Sequence, residues 1–186
     1  DPKAYSEEII AEIRSRFHNN SVSIGNSRGT YGGGLVSDDE SVRKNTITFV
    51  EEMCSLSVKL GCPSTYLRPG SLNENGAWLP HPENHTEKVF DRLVDSTKKI
   101  CKVAESEGIY LILEGGYVSP VYSAQKVKDF FDAVGSKNLK FNQDPVNFLS
   151  SLEQAYNTKP FLEEFFTLLG EYTISADLKD FKVIDS

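Results

Sequence analysis

The sequence contains no apolar run near the ~18–20 residues that a membrane-spanning helix needs. No stretch of it reads as a signal peptide, and no linker, low-complexity tract or second domain is evident. It also lacks an excess of positive charge: 20 Lys and Arg stand against 27 Asp and Glu, for a formal net charge of -7. That balance argues against a nucleic-acid surface, which needs clustered Lys and Arg to meet phosphates. A small anionic ligand stays compatible, since one local positive site can hold it. Cysteine is scarce. Cys54, Cys62 and Cys101 are odd in number and show no metal-ligand spacing. Cys54 and Cys101 fall within helical apolar patterns, where a thiol serves as a small buried hydrophobe. A reducing, cytoplasmic setting fits this usage. The tripeptides Asn19-Asn20-Ser21 and Asn84-His85-Thr86 match the glycosylation sequon, a match that arises often by chance.

What remains is an ordinary globular composition in 186 residues, enough to bury a sizeable core in one domain spanning residues 1–186. Ile9, Ile10, Ile13 and Phe17 recur at helical spacing after Ser6, an N-cap residue type. "SVSIG" (21–25) reads as a short strand, followed by a Gly-rich loop. Phe49, Met53, Leu56 and Leu60 mark a second helix ended by Gly61, and "STYLR" (64–68) is the next strand. A polar loop leads to a helix carrying Phe90, Leu93, Ile100 and Ala104, ended by Gly108. "IYLIL" (109–113) is an apolar run suited to a strand covered on both faces. A helix with Val127, Phe130, Phe131 and Val134 follows, then strand "LKFNQ" (139–143). A helix with Phe161, Leu162, Phe165, Phe166 and Leu169 stops at Gly170, and "YTISADL" (172–178) closes the series. Alternating strands and helices predict a parallel sheet with the five strands adjacent in chain order.

Glu114, Asp144 and Asp177 lie at or just beyond the carboxyl ends of three successive predicted strands. A closed barrel turns such ends toward one mouth, whereas an open sheet spreads them along an edge. The polar pattern therefore favours a parallel (β/α) barrel of the TIM type. A full barrel usually takes about 250 residues, and five strands preceded by a helix read as a partial one. Three converging carboxylates repel one another, and a divalent ion such as Mn²⁺ or Mg²⁺, suited to oxygen ligands, would hold them. Spacing alone leaves open the plainer account, in which these carboxylates form turns or cap helices.

The segments "HPENHTEKVFDRLV…AESEGIYLILEGG", "NLKFNQDPVNFL" and "ISADLKDFKV" resemble the xylose-isomerase-like TIM barrels, the sugar-phosphate isomerase and epimerase group related to endonuclease IV. The resemblance runs over roughly residues 5–183 and implies about strands 2 to 6 of 8. It implies that Glu114 and Asp144, ending the family's fourth and fifth strands, bind the metal. The sixth strand often carries His-x-Lys-Asp, whose His is the next ligand. Here the reading is "DLKD", with Asp177 in the His position, where it offers a hard cation an oxygen ligand. Lys179 follows the family's Lys and would orient substrate or neutralise Asp177. An Asp-x-x-His pattern of sugar epimerases appears as Asp144-Pro145-Val146-Asn147, so Asn147 can bond a hydroxyl but cannot act as an acid or base. The resemblance further implies a metal that polarises sugar oxygens while Glu114 carries a proton. The family's last Glu, on the eighth strand, has no counterpart, so a chain that binds a ligand without completing the chemistry is an expectation too.

Other residues have two readings each. Arg68, ending its strand, meets a substrate phosphate or pairs with a nearby carboxylate. His81 and His85 lie in the loop before the third helix, as mouth residues or as solvated loop histidines. Trp78, in the same loop, covers a sugar's apolar face or anchors the loop. "RGTYGGG" (28–34) cradles a phosphate through backbone N–H groups or is a mobile βα loop; it lacks a P-loop ending. The leading expectation is thus a metal-dependent isomerase or epimerase of a small sugar or sugar phosphate. The alternative is a catalytically incomplete barrel with a binding or structural role. An endonuclease would need more His residues than the three present. An unclosed barrel exposes two edge strands, so self-association into a homo-oligomer is also expected.

Overall fold

The structure, a computed structural model, describes residues 2–184. Four parallel strands form one sheet: β1 (Ser64–Leu67), β2 (Tyr110–Leu113), β3 (Leu139–Gln143) and β4 (Thr173–Ala176), adjacent in chain order. Helices α1 (Glu7–Asn19), α2 (Glu40–Leu60), α3 (Glu87–Glu107), α4 (Ala124–Val134), α5 (Leu152–Tyr156) and α6 (Thr158–Leu169) connect and cover them. This is the α/β alternation of a partial parallel barrel. No helix among the described residues is long and apolar enough to cross a membrane.

Local chemistry accounts for most helix ends. Ser6, Asp39 and Ser123 accept backbone N–H groups at the starts of α1, α2 and α4, satisfying donors that a helix start leaves orphaned. Gly61 and Gly108 end α2 and α3 at φ of 72° and 70°, where a side chain would be strained. Gly170 differs. It keeps a helical conformation and passes α6 into a short 3₁₀ turn, Gly170–Tyr172, that feeds β4.

The expected strand at residues 21–25 is absent. Only Ser27 makes an isolated parallel bridge, to Thr65, its N–H donating to the Ser64 carbonyl and its carbonyl accepting from the Tyr66 N–H. Val22 is exposed and Ile24 only half-buried, so little apolar gain holds the segment extended. The apolar face expected for α1 is also mostly open. Ile10 packs with Met53 and Leu56 of α2, while Ile9 and Phe17 are exposed, because α1 packs mainly against α2.

Alternation along the strands separates two faces. Leu67, Leu111, Leu113, Leu139 and Phe141 join the helix-side core, where Phe131, Phe148 and Phe165 extend a chain of ring contacts from Phe141. Tyr66, Ile112 and Asn142, one residue out of phase, are buried yet outside that cluster. They form the inner face. Arg68, Glu114 and Asp144 continue the same phase past the strand ends. All three cysteines are buried and free, and burial pushes the thiols of Cys54 and Cys101 up to about 12 and about 11. Asn84 is 1% exposed and its amide bonds Ser71 and Val118, so its sequon is closed to modification in the folded chain.

Candidate functional site

Strand register brings the site together. Leu67 pairs with Leu113, so the residues that follow, Arg68 and Glu114, emerge side by side. The ladder continues one step further, the Glu114 N–H donating to the Leu67 carbonyl at 3.0 Å. Likewise Gln143 pairs with Ala176, and the Asp177 N–H donates to the Gln143 carbonyl at 3.0 Å, which sets Asp177 beside Asp144. The outcome is a cluster in which one carboxylate oxygen each from Glu114, Asp144 and Asp177 lies within 4.8 Å of the others.

Each carboxylate has a distinct environment. Glu114 is buried, at 6% exposure. Its Oε2 accepts from Arg68 Nε at 3.0 Å, and Arg28 lies 3.6 Å from Oε1. Asp144 is still deeper, at 1% exposure. Its Oδ2 accepts from Lys179 Nζ at 2.5 Å and from Asn147 Nδ2 at 2.8 Å, while Oδ1 is buried without a hydrogen-bond partner. Burial raises the Asp144 pKa above the ordinary aspartate value, outweighing the Lys179 ammonium that opposes it. Asp177 is half-buried and its Oδ2 accepts from Asn142 Nδ2 at 3.0 Å.

The remaining sequence candidates divide. Asn147 and Lys179 join the cluster, the ammonium also donating to Asn147 Oδ1 at 2.9 Å. Trp78 reaches the same rim: its ring edge is 3.0 Å from where a Cβ on Gly116 would stand. His85 is tied into its loop, its Nε2 2.7 Å from the Tyr117 carbonyl and its ring against Tyr117 and Tyr122. His81 is not part of the carboxylate group. Its Nδ1 accepts from the Glu83 N–H, and it lines a separate cavity of about 580 Å³ with Tyr31, Ser71 and Asp38.

Two residues of this site had no individual assignment from sequence. Arg28 sits with its guanidinium 4.5 Å from the Tyr66 ring centroid, a cation–π distance. Tyr31 is half-buried, and desolvation of its phenol raises the pKa. Its hydroxyl accepts the Arg68 N–H at 2.6 Å and lies 3.3 Å from the Arg68 carbonyl, to which it donates. The loop bearing both is packed against its surroundings rather than open: a Cβ on Gly33 would come 1.9 Å from the Ser71 carbonyl oxygen, and one on Gly34 2.0 Å from Thr46 Oγ1. A positive residue opening a Gly-rich loop after a strand-like segment was the available signal for Arg28.

The residues present suit a divalent ion. All three carboxylates offer hard oxygen donors, and Asp144 Oδ1 is a buried acceptor with no donor, a costly state unless something engages it. Arg68 and Lys179 meanwhile compete for the same groups.

The sequence matches the family described as xylose isomerase-like TIM barrel over residues 1–185. No curated protein matches it in sequence. Among solved structures it is similar to a xylose isomerase domain protein from Planctomyces limnophilus, with a TM-score of 0.68 and 21% identity, covering 92% of this chain and 59% of that one. D-psicose 3-epimerase from Clostridium cellulolyticum H10, solved with D-tagatose, gives a TM-score of 0.67 and 21% identity, covering 90% of this chain and 57% of that one. A xylose isomerase-like TIM barrel protein from Mycobacterium smegmatis, in complex with magnesium, gives 0.71 and 17%, covering 95% and 57%. The chain thus spans less than two thirds of the length of these structures.

Proposed function

The chain belongs to the xylose isomerase-like TIM barrel family, and from that premise we propose that it binds a divalent ion, Mn²⁺ or Mg²⁺, and acts in the isomerisation or epimerisation of a small sugar or sugar phosphate. The observation that carries this reading is the approach of Glu114, Asp144 and Asp177 to within 4.8 Å, with a partnerless Asp144 oxygen among them. What such an ion supplies when bound is polarisation of neighbouring carbonyl and hydroxyl oxygens. Glu114 takes the role of proton carrier at the sugar carbon beside the carbonyl, its carboxylate oriented by Arg68. Asn147 and Lys179 hold Asp144 and offer hydrogen bonds to sugar hydroxyls. Trp78 supplies an apolar wall beside Gly116. The neighbours solved with D-tagatose and with magnesium support the same substrate class and the same kind of ion.

A binding or structural role is favoured by one specific observation. Arg68 and Lys179 already pair with Glu114 and Asp144, so much of the repulsion within the cluster is answered with no ion. Titration calorimetry with Mn²⁺ separates the readings. Wild type is expected to bind, and Glu114→Gln, which keeps shape but loses charge, to bind far more weakly with an unchanged circular dichroism spectrum. Equal binding by both makes the Glu114 carboxylate structural and removes the proton carrier, and no binding by wild type at millimolar Mn²⁺ rejects the metal reading; each outcome leaves the binding or structural role.

A further inference from the structure

Charge at the mouth is balanced by the chain itself. Of the three clustered carboxylates, Glu114 faces both Arg28 and Arg68, at 3.6 and 3.0 Å, and Asp144 faces Lys179 at 2.5 Å, so three cations stand against three carboxylates in sum. A divalent ion added to a neutral set leaves a local surplus of two positive charges. A neutral sugar cannot answer that surplus, whereas an anionic group can. The two guanidiniums are also under-used. Arg68 spends only Nε on Glu114, and its terminal nitrogens make no hydrogen bond to another described residue. Arg28, 3.6 Å from Glu114 Oε1, is beyond hydrogen-bond range there, and nearly half of its side chain is exposed. Both are nonetheless held in place. Tyr31 clamps the Arg68 backbone from both sides, and Tyr66 supports the Arg28 guanidinium. Two fixed forks with spare donors suit a phosphate or carboxylate, which guanidinium recognises in pairs of hydrogen bonds.

We propose that Arg28 and Arg68 form a paired-guanidinium subsite that selects a sugar bearing an anionic group, a phosphate ester or a carboxylate, over a neutral sugar. The charge argument rests on the metal reading above; the unused donors do not. Calorimetric titrations of the full chain with D-fructose 6-phosphate, D-gluconate and D-fructose, each with and without saturating Mn²⁺, test the subsite directly. At least one anionic ligand is expected to bind about tenfold or more tightly than fructose, with the preference shrinking as salt rises. Whichever of phosphate and gluconate binds tighter identifies the group. Arg28→Gln is expected to lose about tenfold of that anionic affinity while binding Mn²⁺ at least as well as wild type, since a competing cation is gone. Failure of Mn²⁺ to bind wild type with the anion preference intact would fault the metal reading and uphold the subsite. Fructose binding as tightly as both anions, no binding of any of the three at millimolar concentration, or an Arg28→Gln variant that keeps the full anion preference would overturn the subsite.

Discussion

From Leu111 to Leu113 on β2 and from Phe141 to Gln143 on β3 every residue is buried, whereas β4 alternates half-buried Thr173 and Ser175 with exposed Ile174 and Ala176. The strands belong to one sheet and share one direction. What differs is neighbours: β2 and β3 are paired on both edges and covered by helices, while β4 is paired on β3 alone among the described residues. The difference carries into the site. Asp144, after a middle strand, is 1% exposed with a raised pKa and a partnerless oxygen. Asp177, the same residue type after the edge strand, is only half-buried. Position in the sheet, rather than residue type, decides how deeply a strand-end carboxylate is buried.

The largest effect should come from the middle of the sheet. Phe141→Ala removes a fully buried ring in contact with Phe131 and Phe148 and should cost about 3–5 kcal/mol in urea unfolding. Ile174→Ala on β4, 47% exposed in the native strand, should cost less than about 1 kcal/mol. Comparable losses would show that β4 is covered in solution and would break the comparison.

At the site, Asp144→Asn should weaken Mn²⁺ binding more than Asp177→Asn, because a buried ligand faces less competition from water than an open one. Equal losses in calorimetry would make the two strand ends equivalent. The smallest effect is on pH dependence. With its folded pKa raised by burial, Asp144 holds a proton in the native chain at pH values where the unfolded chain has released it. Stability of the metal-free chain should therefore fall as pH rises from the ordinary aspartate value, about 3.9, through the raised one. Denaturation in chelator across that range should show this slope in wild type and a flatter curve in Asp144→Asn. A slope that Asp144→Asn leaves unchanged would assign the titration to another group.

Much of this was legible along the chain because it rests on local rules. Gly61 and Gly108 end helices through a left-handed conformation that neighbours cannot veto, and Ser6 and Asp39 cap whichever helix follows them. The apolar run at Ile109–Leu113 demands cover on both faces, so a central strand followed by Glu114 could be read directly. Where cover depends on a distant partner, reading fails. The alternation at residues 21–25 looks like a strand, yet Val22 is exposed and Ile24 only half-buried, and pairing shrinks to the single bridge at Ser27. Ile9 and Phe17 have helical spacing but no helix to meet on that side.

By itself, then, the sequence determined the order of the four strands β1 to β4 and of the longer helices, the parallel alternation and the strand-end placement of three carboxylates, because periodicity and capping act over a few residues. Tertiary structure alone decided which cations answer those carboxylates. Arg28 reaches Glu114 across β1 through a loop packed on Ser71 and Thr46, Tyr31 fixes Arg68 from the same loop, and Lys179 turns back from beyond β4 onto Asp144. Such pairings depend on strand register and on the close backbone approach at Gly33 and Gly34, and a carboxylate in sequence carries no mark of which distant cation the fold will set against it.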